Sequence, residues 1–314
     1  MIMPGKTWLD TDGKPIQAHS GGLLFENGLY YWYGGNKGAP TIPDAMWKIR
    51  VELVGVSCYV SSDLVNWRNA GLVLPARPDD LAHDLHPRNT LERPKVLKCP
   101  ATGRYVMWMN MDNHTRDLIG VGVAVADHPE GPFEYLRSFR PHGCDSRDMT
   151  VFQDHDGSAW LVYASEKNNT LHVGRLSDDY LDLAGDYTRI MIGRRREAPT
   201  LFRHRDRIYL MSSGCTGWNP NPSEMAVAEQ VSGPWTVLGD PFTGDAEGTS
   251  FRSQSTWVIP MPGAADGRFI YIGDRWNLQD LGASTYIWLP MSVQGTRVAI
   301  EWRNSWNPEA EREE

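Results

Sequence analysis

The sequence predicts an all-β fold, a five-bladed β-propeller built as a single domain over residues 1–314 with no accessory module, and three observations carry that expectation. Five short aromatic runs recur along the chain, each introduced by a turn-forming residue. The segments between them repeat as well. Helical periodicity over a dozen residues is absent, and no linker divides the chain.

The aromatic runs are Gly28-Leu-Tyr-Tyr-Trp-Tyr33, Gly103-Arg-Tyr-Val-Met-Trp108, Gly157-Ser-Ala-Trp-Leu-Val-Tyr163, Asp206-Arg-Ile-Tyr-Leu-Met211 and Gly267-Arg-Phe-Ile-Tyr-Ile272. Each joins a turn former to residues rich in β-branched and aromatic side chains, which is the hairpin signal. Their spacing of roughly 50 to 75 residues is that of a repeated four-stranded unit. A strand-like stretch follows each of the first four runs, at residues 54–60, 121–126, 171–176 and 225–228. Each stretch then meets a turn that carries an aromatic: Ser62-Asp-Leu-Val-Asn-Trp67, His128-Pro-Glu-Gly-Pro-Phe133, Ser177-Asp-Asp-Tyr-Leu181 and Val231-Ser-Gly-Pro-Trp235. Residues 287–291 and 298–302 supply the outer strands of the last unit. Residues 38–50, which include Trp47, and residues 75–89 are expected as long surface loops. The charged tail, residues 307–314, is expected to fray.

Composition excludes several classes. A net charge of −8 argues against nucleic acid and against an anionic membrane surface. No apolar stretch approaches the ~20 residues that span a bilayer. The N-terminus shows no signal peptide, so the chain is expected to be cytoplasmic, or secreted with its signal removed. The 4 cysteines are far apart with no metal-binding spacing and are expected as free thiols, and none of the 9 histidines forms a ligand pair. No metal or cofactor is expected. The 13 tryptophans make sugar a candidate ligand, because the C–H face of a sugar ring stacks on an indole.

Three acidic residues interrupt otherwise apolar patterns at one phase of the repeat: Leu91-Glu92-Arg-Pro94, Ser146-Arg-Asp148-Met-Thr150 and Arg196-Glu197-Ala-Pro-Thr200. Each precedes an aromatic run by about 9 to 13 residues, which places it at the start of a blade's innermost strand. Glu92, Asp148 and Glu197 therefore converge on the propeller axis. Converging carboxylates raise one another's pKa, and a carboxylic acid held protonated is what glycoside hydrolysis requires.

These motifs resemble glycoside hydrolase family 43, and within it the exo-β-1,3-galactanase-type branch. The resemblance is carried by Trp8-Leu-Asp-Thr-Asp12, Pro15-Ile-Gln-Ala-His19, Tyr30-Tyr-Trp-Tyr-Gly34, Ser62-Asp-Leu-Val-Asn-Trp67, Leu91-Glu-Arg-Pro-Lys-Val96, Ser138-Phe-Arg-Pro141 and Asp145-Ser-Arg-Asp-Met-Thr150. It implies an inverting, exo-acting glycosidase in which Glu197 is the general acid and Asp148 tunes and orients it. The family's usual aspartate base corresponds here to Ser20, which cannot deprotonate water at neutral pH. The galactanase-type branch also lacks that aspartate, and the glutamine credited with handling the water there corresponds to Gln254, with Glu92 as a second candidate. An inverting pair stands roughly 6.5–9.5 Å apart. Asn168, Asn169 and Thr216 correspond to sugar-contacting positions, and Trp32 and Trp218 are candidate ring platforms; the asparagine pair also suits an ordinary hairpin turn.

Relatives often carry a glutamate that reads the axial hydroxyl of galactose where this chain has Gly35. The expected partner is an oligosaccharide with a terminal β-galactosyl residue. A galactofuranoside or an arabinofuranoside is the alternative substrate, and a non-catalytic sugar-binding propeller the alternative function. The family often holds a calcium ion on the axis by a last-blade histidine, where this chain offers Arg252 and Gln254.

Overall fold

The computed structural model describes residues 1–45 and 48–313. Five antiparallel sheets surround one axis, which is the five-bladed all-β propeller that the repeats predict. Blade 1 contains β1 (His19–Glu26), β2 (Leu29–Gly35), β5 (Gly55–Ser61) and β6 (Arg68–Pro75), with a hairpin of β3 (Thr41–Asp44) and β4 (Lys48–Val51) inserted after β2. Blade 2 contains β7 (Thr90–Lys98), β8 (Tyr105–Asp112), β9 (Ile119–Ala126) and β10 (Glu134–Phe139). Blade 3 contains β11 (Met149–Gln153), β12 (Ala159–Ser165), β13 (Thr170–Leu176) and β14 (Leu183–Ile190). Blade 4 contains β15 (Arg196–His204), β16 (Arg207–Gly214), β17 (Glu224–Ala228) and β18 (Thr236–Gly239). Blade 5 contains β20 (Gln254–Pro260), β21 (Arg268–Arg275), β22 (Thr285–Gln294) and β23 (Arg297–Glu301). The short β19 (Phe242–Thr243) adds to it in parallel at the outer edge.

Every aromatic run is the second strand of its blade. Four enter through a left-handed glycine, Gly28, Gly103, Gly157 or Gly267, and the fifth turns on Arg205 at φ 55°. These strands read as unbroken apolar runs because both of their faces are buried between neighbouring blades. In β8, Met107, Met109 and Met111 face blade 1, while Val106 and Trp108 face blade 3. In β16, Ile208 and Leu210 face blade 3, while Tyr209 and Met211 face blade 5. Five apolar clusters result, one for each interface between blades.

The interface that closes the ring, between blades 5 and 1, is dominated by tryptophan. Trp8, Trp32, Trp67, Trp288 and Trp306 gather there, with Trp32 and Trp288 centroids 4.8 Å apart. The N-terminal segment fastens this seam. Ile2 exchanges backbone hydrogen bonds with Trp306, Gly5 N–H donates to Tyr286, and Trp8 Nε1 donates to the Val65 carbonyl in blade 1.

Two expectations for irregular regions are corrected. The insert after β2 is a short hairpin rather than a loop, since β3 and β4 pair from Thr41 with Val51 to Asp44 with Lys48; Trp47 lies outside the described residues. The tail is held rather than frayed as far as Glu311, whose Oε2 accepts from Arg268 at 2.5 Å. Among the described residues no helix is long and apolar enough to cross a membrane.

Candidate active site

Three inner strands carry a bulge at the same phase, centred on a left-handed residue: Ser20 in β1 (φ 57°), Arg93 in β7 (φ 55°) and Ala198 in β15 (φ 51°). A left-handed non-glycine residue costs about 1–2 kcal/mol, and a bulge re-aims the neighbouring side chains. In blades 2 and 4 the residue before the bulge centre turns towards the axis, and these residues are Glu92 and Glu197. In blade 1 the matching residue is His19, which is fully buried, 3.0 Å from Asp274 through Nδ1 and stacked on Tyr286. It is therefore Ser20, one residue on, that reaches the cavity from blade 1.

The cavity at the axis is lined by Ser20, Glu92, Asp148, Glu197, Gln254 and Trp276 among others. Glu92, Asp148, Glu197 and Gln254 thus come together from four blades. Asp148 Oδ2 accepts from the Ala198 backbone N–H at 2.8 Å, so it is anchored to the residue after Glu197. Its Oδ1 accepts from Met149 N–H at 2.9 Å and from Arg93 Nε at 2.9 Å. Burial, with the charge of Asp148 second, pushes the Glu197 carboxyl up to about 8, against opposing pulls from Arg93, the Cys215 thiol and Arg196. Glu197 is therefore protonated at neutral pH.

Gln254 touches Glu197 directly, with Nε2 3.3 Å from Oε1 and 3.1 Å from Ser213 Oγ. Its carbonyl accepts from Arg93 Nη2 at 2.8 Å and from Trp276 Nε1 at 3.2 Å. That contact is far shorter than the roughly 6.5–9.5 Å of an acid and a water-activating partner. Glu92 lies on a blade that is not adjacent to that of Glu197. Its Oε2 accepts from Ser20 Oγ at 3.1 Å, and its Oε1 is ion-paired with Lys37. A Cβ placed on Gly35 would meet nothing closer than 3.6 Å, so room remains beside Lys37.

The remaining expected site residues divide. Asn168 Nδ2 donates to Glu197 Oε2 at 3.3 Å, and Trp218 lines the cavity edge-on to Trp276 with centroids 4.9 Å apart. Asn169 is exposed in the turn before β13 and donates its N–H to the Glu166 carbonyl, so it serves the hairpin. Thr216 is exposed and closes its own loop, donating to the Asn219 carbonyl at 2.5 Å and accepting from Asn221 at 2.6 Å. Trp32 is 1% exposed and points into the seam between blades 5 and 1, which corrects its expected role as a ring platform. Arg147 pairs with Asp145 at 2.7 Å, leaving Asp148 to Arg93.

Sequence reading passed over Arg93, Trp276 and Asp112. Arg93 is 5% exposed and spans Asp148, Gln254 and the Ser255 carbonyl. Asp112 lines the cavity, and burial pushes its carboxyl up to about 7 while Arg116 and Arg147 pull it down. The one sequence signal for Arg93 was its place between Glu92 and Pro94, in the same short motif as the carboxylate.

An axial cation, common in the resembled family, does not fit the residues present. Both Asp274 oxygens are taken, by His19 Nδ1 and by the Ser20 N–H. The buried Lys95 side chain donates to the Ser20 carbonyl at 2.7 Å. No cluster of three His, Cys, Asp or Glu side chains suited to a metal occurs among the described residues.

Known proteins share this fold. The model for "Glycosyl hydrolases family 43" matches residues 25–243. A β-D-galactofuranosidase of Aspergillus niger is 29% identical over 163 residues, covering 49% of this chain and 45% of that protein. The chain thus spans less than half the length of this curated relative. A family 43 β-1,3-galactosidase solved with galactodeoxynojirimycin is 34% identical with a TM-score of 0.89, covering 98% of this chain and 100% of that one. Another β-1,3-galactosidase of the family is 35% identical with a TM-score of 0.87, and the match covers 98% of this chain and 63% of that chain. An exo-β-1,3-galactanase from Phanerochaete chrysosporium, solved with β-1,3-galactotriose, is 34% identical with a TM-score of 0.87, covering 98% and 69%.

Proposed function

We propose a reaction for this chain, which belongs to glycosyl hydrolase family 43 and is a glycosidase acting on O-glycosyl bonds: inverting hydrolysis that releases a terminal β-galactosyl residue from a short oligosaccharide. Glu197 donates its proton to the glycosidic oxygen as the bond to the anomeric carbon breaks. Water attacks that carbon from the opposite face, and its proton passes to Glu92. The carrying observation is the Glu197 carboxyl held protonated to about pH 8 by burial and by Asp148. Asp148 positions it through the Ala198 N–H.

Glu92 is assigned the water for two reasons. It lines the same cavity as Glu197 but from a non-adjacent blade, as a water-activating carboxylate opposite the acid requires. Gln254, by contrast, lies against the acid with its carbonyl occupied by Arg93 and Trp276, so it offers water no free acceptor. Its part is to orient the acid. Ser20 replaces the expected first-blade aspartate with a hydroxyl that donates to Glu92.

Galactose is supported by the solved relatives, named for β-1,3-galactoside cleavage at 34–35% identity. Gly35 and the likeness to a β-D-galactofuranosidase favour a galactofuranoside as the second reading. A panel of p-nitrophenyl glycosides with β-1,3-galactobiose tests both, with the anomer of the released sugar followed by NMR. Release of α-galactose from a β-linked substrate is expected. Retention of configuration, or no turnover on any galactoside, galactofuranoside or arabinofuranoside, contradicts the assignment.

A further inference from the structure

A second cavity opens beside the axial one. The two share Gly217, Trp218, Gln254 and Trp276 as a common wall. The second cavity is also lined by Ser213, which lies opposite Glu197 on the neighbouring strand, and the amide of Gln254 bridges Ser213 and the Glu197 carboxyl. A general acid must stand beside the oxygen it protonates. The leaving part of the substrate therefore departs on the side of Glu197 that opens to this cavity.

Its charged lining is lopsided. Asp274 is 2% exposed, and both of its oxygens are spent on His19 and the Ser20 N–H. Arg252 and Arg275 supply the other charges. Neither forms an ion pair among the described residues. Arg275 donates to the Phe251 carbonyl at 2.7 Å and lies over the Trp302 ring at 5.5 Å, while its Nε has no partner. Arg252 is exposed and ends a run of three left-handed residues, Ser250, Phe251 and Arg252, at φ 55°, 53° and 58°. Such backbone persists only where the surrounding structure holds it. Two guanidinium groups with no carboxylate partner among the described residues, in a chain of net charge −8, mark a place for an anion.

We propose that this second cavity is the leaving-group subsite and that it takes an acidic sugar, a uronate linked to the terminal galactosyl residue, through Arg252 and Arg275. The subsite rests on the hydrolase reading for its role, and its ligand chemistry rests on the two arginines.

Calorimetric titration of the full chain carrying Glu197→Gln, which binds without cleaving, tests it with three probes. These are β-1,3-galactobiose, the same disaccharide with a uronate at its reducing end, and the same disaccharide sulfated on that sugar. The uronate should bind at least tenfold more tightly than galactobiose at low salt, with the gap closing as ionic strength rises. Arg252→Gln, an exposed change, should sharply reduce the difference. Equal affinity for the neutral and uronate probes, or a preference indifferent to Arg252→Gln, overturns the proposal. Tighter binding of the sulfated probe alone overturns the carboxylate assignment. Wild-type turnover of an uncharged aryl galactoside separates the two readings. Turnover without a uronate preference defeats the subsite alone, whereas an Arg252-dependent preference without any turnover defeats the hydrolase reading and leaves an acidic-sugar binding site.

Discussion

Glu92 and Glu197 occupy the same backbone position in two blades, each just before the left-handed residue of an inner-strand bulge, yet their surroundings differ in sign. Glu92 faces Lys37 and the Ser20 hydroxyl. Glu197 is largely buried, touches Gln254 and lies within the field of Asp148, and its carboxyl rises to about 8. The repeat supplies the carboxylate positions, and the neighbours decide which becomes an acid.

Exchanging one partner at a time breaks this comparison in graded steps. Glu197→Gln has the largest expected effect, a fall in kcat of about 10³-fold on galactobiose. On p-nitrophenyl galactoside the loss should be much smaller, because nitrophenolate leaves without protonation. Glu92→Gln should lower kcat by about 10²-fold on both substrates alike, since water activation is needed whatever departs. Added azide should restore bond cleavage in that variant by replacing activated water, and an equal response of both variants to leaving group would merge their roles. Lys37→Met removes the cation beside Glu92 and should cost about tenfold in kcat/KM. Steady-state kinetics on the two substrates checks all three.

Trp32→Ala should leave kcat/KM of the folded protein unchanged. It should cost about 3–5 kcal/mol in stability, read by denaturant unfolding, because the residue fills the seam between blades 5 and 1. A raised KM with unchanged stability would return it to the sugar site.

The architecture was legible because the second strand of each blade is buried on both faces and reads as an unbroken aromatic run. Glu92, Asp148 and Glu197 were legible because each stands at one phase of the repeat, at or beside the start of an inner strand. What could not be read was direction. A bulge of one residue sends the next side chain to the opposite face, so sequence phase alone did not show that His19 is buried and Ser20 exposed to the cavity. The same alternation hid Trp32, whose neighbours Tyr31 and Tyr33 face another interface. Lys37 meets Glu92, and Trp276 meets Gln254, from other strands with no local pattern to announce them, while Arg93 stands beside Glu92 yet pairs with Asp148 of the next blade. Four-residue strands bearing Pro43 gave too little alternation to reveal the inserted hairpin.

Burial and Asp148 together hold the Glu197 proton. The pH dependence of kcat/KM for galactobiose hydrolysis, measured for the wild-type chain and for Asp148→Asn, tests it most directly. The wild type should lose activity as pH rises through about 8, where Glu197 gives up its proton. Removing the negative charge of Asp148 lowers that pKa, so the basic limb of Asp148→Asn should move to lower pH. A basic limb that stays in place, or one that moves to higher pH, would contradict the claim.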